Sequence, residues 1–149
     1  LSEQVDGLVC MLDSFNYLTD PVDAVSAIGC FYEALAPGGM LIFDVRPRRQ
    51  LMAFDGQIFM DETDDVCCIW RTEFDQEENL CFYGMDIFIR EGDLWRREQE
   101  EHYEYAYRLR WLRDQLHQAG FADVRFYGDR TMALPGPEDE RVFITARKE

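Results

Sequence analysis

The chain is poor in positive charge. Lys and Arg number 15 against 30 Asp and Glu, a net charge of −15 over 149 residues. A surface of that sign repels phosphate backbones and anionic lipid, which argues against unaided binding to nucleic acid or to a membrane surface. No apolar run is long enough to span a bilayer, and no signal-peptide pattern is present. There are only two histidines and no H-x-x-x-H, C-x-x-C or paired-carboxylate motif, so nothing in the pattern supports a metal site. The five cysteines, Cys10, Cys30, Cys67, Cys68 and Cys81, are odd in number and lie mostly inside apolar runs. They read as reduced residues of a cytoplasmic protein, not as a disulfide framework. Internal repeats, low-complexity tracts and flexible linkers are also lacking, so residues 1–149 are expected to form a single domain.

What is present is a globular composition, 47% hydrophobic and 14% aromatic. Val5 to Leu12 is a nearly continuous apolar run, the pattern of a strand buried on both faces of a parallel sheet. Asp20, Pro21 and Asp23 then suit an N-cap, a first helical position and a helix N-terminus. Val22, Val25, Ile28, Tyr32 and Leu35 follow at helical spacing, which predicts a helix from about 21 to 35 with that stripe buried. Pro37-Gly38-Gly39 stops it, and Met40 to Val45 is a second buried strand. Strand, helix and strand in this order form a right-handed parallel βαβ unit.

Beyond Arg46 the pattern changes. A short helix fits near 48–54, and Gln50 to Asp64 is otherwise ambiguous. Three segments rich in β-formers, 65–75, 80–90 and 94–105, are separated by turns and predict an antiparallel three-stranded meander with one wet face. A helix is expected over 107–120, with Leu109, Leu112, Leu116 and Ala119 on one face and Gly120 as its stop. Strands at 122–127 and 141–147 complete the chain.

Taken in order, five segments resemble the class I S-adenosylmethionine (SAM) dependent methyltransferases: the run VDGLVCML, the loop DSFNY after it, the helix that opens DPVD and closes ALAPGG, the helix WLRDQLHQAGF, and the closing strand RVFITAR. The resemblance implies an α/β fold, a partial Rossmann-like sheet with strands equivalent to 4-5-7-6 of that family, the last one antiparallel. The meander at about 65–105 resembles the insertion that caps the substrate side in small-molecule methyltransferases. The family's glycine-rich cofactor loop lies ahead of this segment. At about 30 residues per βαβ unit, strands one to three would need roughly 90 residues before Val5. The chain is therefore expected to be the C-terminal portion of such a domain, supplying its substrate-side half. The cofactor site, for SAM, is then incomplete in this chain.

The site residues follow from the rule that ligands bind beyond the carboxyl ends of the strands in open α/β sheets. By resemblance, Leu12, Asp13 and Ser14 border the cofactor, while Asn16 and Tyr17 face the substrate as the catalytic candidates. Asp13 and Asn16 equally suit local turn capping. Replacing either by Ala is expected to weaken SAM binding or turnover and leave the fold intact. Arg46, Arg48 and Arg49 suit a substrate carboxylate or phosphate, Arg46 best, or form a solvated basic loop. Glu100, His102 and Glu104 share one strand face, which reads first as the wet face of the meander, and Tyr103 on the other face lines a substrate pocket or packs. The function expected is methyl transfer to a small-molecule acceptor. The alternative is a non-catalytic α/β module acting through a partner. In either case Val5 to Leu12 is an apolar edge that favours a homodimer or pairing with the missing N-terminal half.

Overall fold

The computed structural model describes residues 3–149. Its first sheet is built from β1 (Val5–Cys10), β2 (Leu35–Val45), β7 (Phe121–Tyr127) and β8 (Val142–Lys148), in the order β1-β2-β8-β7. β1 and β2 are parallel, and β8 runs antiparallel to both of its neighbours. This is the partial α/β sheet expected from the sequence, including the reversed last strand.

Between β1 and β2 lie a short 3-10 turn (Ser14–Tyr17) and helix α1 (Pro21–Ala34). The Asp20 carboxylate caps α1 by accepting from the Val22 N–H at 2.8 Å, with Pro21 at the first helical position where no N–H is needed. The buried face of α1 is Ala24 and Ile28, while Val22 and Val25 are exposed at the rim beside Trp111. The expected stripe was therefore rotated: Ile28 belongs to it, but the two valines do not. Pro37-Gly38-Gly39 does end the helix, yet it lies inside the strand. The pairing with β1 jumps from Val5–Leu35 to Gly7–Met40, so these residues form a wide bulge, with Gly38 at φ 83°.

Helix α3 (Leu109–Gln118) packs beside α1 on the same face of the sheet. Its Leu112 and Leu116 meet Leu41, Phe43 and Val45 of β2 and Val142, Ile144 and Ala146 of β8 in one cluster. Phe15, from the 3-10 turn, is packed against Phe43 and Tyr107 with ring centroids 5.1 and 5.3 Å apart. The opposite face of the sheet carries no helix among the described residues. β1 is consequently not buried on both faces: Leu8 and Cys10 reach the core, but Val9 is 65% exposed on the uncovered side of this outermost strand.

The second sheet is a fully antiparallel meander, β3 (Ile58–Glu62), β4 (Val66–Asp75), β5 (Leu80–Glu91) and β6 (Leu94–Tyr105). It has four strands, not three. β3 went unread because every one of its residues is exposed, so no alternation marks it. Helix α2 (Arg48–Ala53) falls where a short helix was expected and buries Leu51 against Phe74, Cys81 and Ala106 under the meander.

Candidate functional site

The meander reaches over the carboxyl ends of β1 and β2, and one buried side chain bonds across the two sheets. Asn16 is fully buried. Its amide nitrogen donates to the Arg46 carbonyl at 3.2 Å and to the Tyr105 carbonyl at 2.9 Å, and its oxygen accepts the Arg46 N–H at 3.0 Å. One asparagine thus joins the loop after β1, the loop after β2 and the end of β6. These partners lie 30 and 89 residues away, so local turn capping does not describe it. Its polar atoms are engaged in holding the backbone rather than facing a substrate.

Next to this clamp sits a partly buried ion network. Asp13 pairs with Arg46 through Nε, and Arg141 bridges Asp44 at 2.6 Å and Asp13 at 3.2 Å. The Asp13 N–H also reaches Asp44 at 3.3 Å. Two carboxylates face two guanidiniums where β1, β2 and β8 converge. Leu12 and Asp13 both adopt positive φ, 61° and 52°, at this strand end. For a non-glycine residue that conformation is costly and is held only by its surroundings, a kind of strain that gathers at functional sites. Leu12 is 73% exposed despite being apolar. The Ser14 hydroxyl donates to the Met11 carbonyl at 2.6 Å.

A pocket of about 360 Å³ opens between the two sheets, lined by Asp13, Tyr17 and Arg46 from the strand ends and by Trp70, Tyr83, Met85, His102 and Glu104 from the meander. It is of small-molecule size. Tyr17 packs edge-on against the His102 ring, with centroids 5.8 Å apart. Burial, followed by the charges of Glu104 and Asp13, raises the Tyr17 hydroxyl.

Glu104 is the group that sequence reasoning set aside. Strand alternation placed it with Glu100 on a wet face, yet it is only 4% exposed, and its Oε2 has no hydrogen-bond partner among the described residues. Burial and the nearby Asp13 charge push its carboxyl up to about 7, against the opposing pull of Arg46, the adjacent Tyr83 hydroxyl and Arg141. The Tyr83 hydroxyl lies close to Glu104 and Cys81 without a well-aligned hydrogen bond to either, and burial raises it well above the ordinary phenol range. The only sequence signal for Glu104 was its position at the end of the strand, where the wet face meets the core.

The structure thus gathers Asp13, Tyr17 and Arg46 of the expected residues around one pocket. Leu12 and Ser14 adjoin Asp13 in the chain but do not line the pocket. Tyr103 is not part of it: it points to the other face of β6, against Phe82, and lines a separate depression with Asp55, Glu73 and Phe74. Arg48 donates to Asn79 at 2.8 Å and Arg49 pairs with Glu138 at 3.0 Å, so neither joins the pocket.

Comparison with known proteins fits this geometry. No family model matches the chain. It is 28% identical over 146 residues to YqeM of Bacillus subtilis (strain 168), a protein that carries the name of a methyltransferase, with 97% of this chain and 59% of that protein aligned. The chain therefore spans about three fifths of the length of the curated relatives it matches. Among solved structures it is similar to a SAM-dependent methyltransferase from Clostridium acetobutylicum ATCC 824, with a TM-score of 0.88 at 23% identity over 99% of this chain and 60% of that one. It is also similar to SAM-bound CalS10, an amino pentose methyltransferase from Micromonospora echinaspora, with a TM-score of 0.77 at 15% identity over 100% of this chain and 60% of that one. Over the part it spans, the chain has the fold of the SAM-dependent methyltransferases.

Two outcomes follow from this geometry. Asn16→Ala leaves the Arg46 N–H and the Arg46 and Tyr105 carbonyls unpaired, at about 1–3 kcal/mol per buried group. Chemical denaturation should show a loss of about 3 kcal/mol or more, not the intact fold expected from sequence. Glu104 supplies the second outcome. Its folded carboxyl is raised from 4.5 to about 7, so both states hold the proton below 4.5, while above it the unfolded chain ionises first. Stability measured against Glu104→Gln should therefore fall on the order of 3 kcal/mol as pH rises from 4.5 through 7. A flat difference would show that Glu104 is not buried as described.

Proposed function

We propose that the protein carrying this chain transfers a methyl group from SAM to a small-molecule acceptor, and that this chain supplies the substrate-side part of the domain. The observation that carries the reading is the pocket itself: a small-molecule-sized space at the carboxyl ends of parallel strands, roofed by the meander and closed by Asn16 and the ion network. That is where the ligands of open α/β sheets lie.

The residues at the end of β1 fit a cofactor of this kind in part. Leu12 offers exposed apolar surface in a strained backbone, suited to a ring or an alkyl chain. Asp13 is already committed to Arg46 and Arg141, so its role is to fix the floor of the pocket rather than to hold a ligand alone. When bound, SAM supplies an activated methyl group on a sulfonium. The chain's own task is to align the acceptor and exclude water. Tyr17 borders the space for the acceptor, and Arg46 and Asn16 act as positioning residues, Arg46 through its pair with Asp13 and Asn16 by holding the Arg46 backbone and the end of β6.

The two sheets act as one domain in this reading, since Asn16 bonds across them. The free cysteines and the −15 charge support a cytoplasmic setting. The exposed apolar residues of β1, Val5 and Val9, support an association surface along that edge, for a second copy or for further chain.

Isothermal titration of the full-length protein with SAM and with its demethylated product tests this reading. Saturable binding of both, with transfer of labelled methyl to small acceptors, is the expected result. Absence of binding to either would refute it.

A further inference from the structure

Asp44 keeps one buried oxygen without a partner while its other oxygen pairs with Arg141, whereas Glu104 has no cationic partner at all among the described residues. Asp13 and Asp44 face Arg46 and Arg141, two carboxylates against two guanidiniums. Glu104 adds a third carboxylate, 4% exposed, with an unpartnered oxygen and no salt bridge among the described residues. A buried carboxylate without a partner is costly, and a cleft that retains one is a candidate for a ligand that completes it.

The surroundings select the sign of that ligand. Facing or neighbouring Glu104 are Asp13 from the loop after β1, Tyr17 from the 3-10 turn, Arg46 after β2, Arg141 before β8, Cys81 and Tyr83 from β5, and His102 on its own strand. The two guanidiniums are already held by Asp13 and Asp44. An anion entering the pocket would meet an excess of carboxylate. A cation would bring the carboxylate and guanidinium charges to balance, and it would lie among Tyr17, Trp70 and Tyr83, whose ring faces attract cations.

We propose that the acceptor bound in this pocket is an amine, whose ammonium Glu104 holds and deprotonates. The inference rests on the methyl-transfer reading above and names its substrate class. The ammonium gives one proton to Glu104, which becomes a carboxylic acid and leaves a neutral amine. The amine lone pair then forms a bond to the methyl carbon of the sulfonium donor while the carbon–sulfur bond breaks, its electron pair going to sulfur. Positive charge passes from sulfur to nitrogen, and the donor leaves as a neutral thioether. Burial, which raises the affinity of Glu104 for a proton, makes it a stronger base than a surface carboxylate.

The test uses the full-length protein and one probe pair, cyclohexylammonium and cyclohexanol, titrated calorimetrically without SAM. The ammonium should bind at least tenfold more tightly than the alcohol. Glu104→Gln, which keeps the shape and removes the charge, should abolish that preference while leaving the affinity for demethylated SAM within twofold and the melting temperature undiminished. With amine acceptors, the same variant should lower the rate of methyl transfer about 10²-fold or more at neutral pH, and the levelling-off of rate expected of the wild-type protein above about pH 7 should move up toward the ionisation of the free amine. Equal affinity for the two probes, no ammonium binding, or wild-type transfer rates in Glu104→Gln would each overturn the proposal. Ammonium binding without any binding of demethylated SAM would overturn the proton-transfer step together with the methyl-transfer reading, which separates that failure from a failure of amine recognition.

Discussion

The structure depends most on the partly buried meeting of Asp13 and Asp44 with Arg46 and Arg141. The four side chains come from three different strand ends. Asp44 is 1% exposed and takes its main bond from Arg141 at 2.6 Å, a residue 97 positions away. Buried ion pairs of this kind add little net stability, because desolvation offsets most of the attraction. What they impose is a penalty for any arrangement that parts them, since one lost partner strands a charge in a poorly solvated place. The network therefore fixes the register of β1, β2 and β8 at the end of the sheet where the pocket lies, and it spends both guanidiniums in doing so.

Everything above the sheet is hung from that floor. Arg46 leaves the network at one end and enters the Asn16 clamp through its own backbone, and the clamp reaches the last residue of β6. Directly after that strand, Tyr107 is buried against Phe15 and stacks on Trp111 of α3 at 5.1 Å. The meander is thus fastened at its exit, close to the site, while its far turns remain exposed. A sheet anchored at one corner can roof a pocket without burying much of its own surface, which accounts for the wet outer length of β6. The same geometry delivers Glu104 into the interior: it is the last acidic residue before the anchor.

The sequence made the α/β part of this fold legible and the site only half so. The βαβ unit was readable because Asp20 and Pro21 open α1 and Pro37-Gly38-Gly39 close it, signals that depend on backbone chemistry alone. α3 was readable from side-chain spacing instead, since its four apolar residues share one face. β3 was not readable, because a strand exposed on both faces has no period to detect. Alternation along β6 correctly set His102 and Glu104 apart from Tyr103, but it does not say which parity faces inward. That choice is made by Asn16 and the strand ends, tens of residues away. Val22 and Val25 failed for a related reason: helical spacing marks a stripe, while the neighbouring Trp111 and Gln115 decide where its edge falls.

The central claim is that the acceptor lies between the strand ends and the meander, beside Glu104. A crystal structure of the full-length protein with demethylated SAM and a bound amine tests it most directly. The account predicts the amine nitrogen within hydrogen-bond distance of Glu104, with Tyr17 and Trp70 beside it and the donor sulfur on the Leu12 side. An amine lodged elsewhere, for instance in the depression beside Phe82 and Tyr103, with Glu104 still unpartnered, would contradict it.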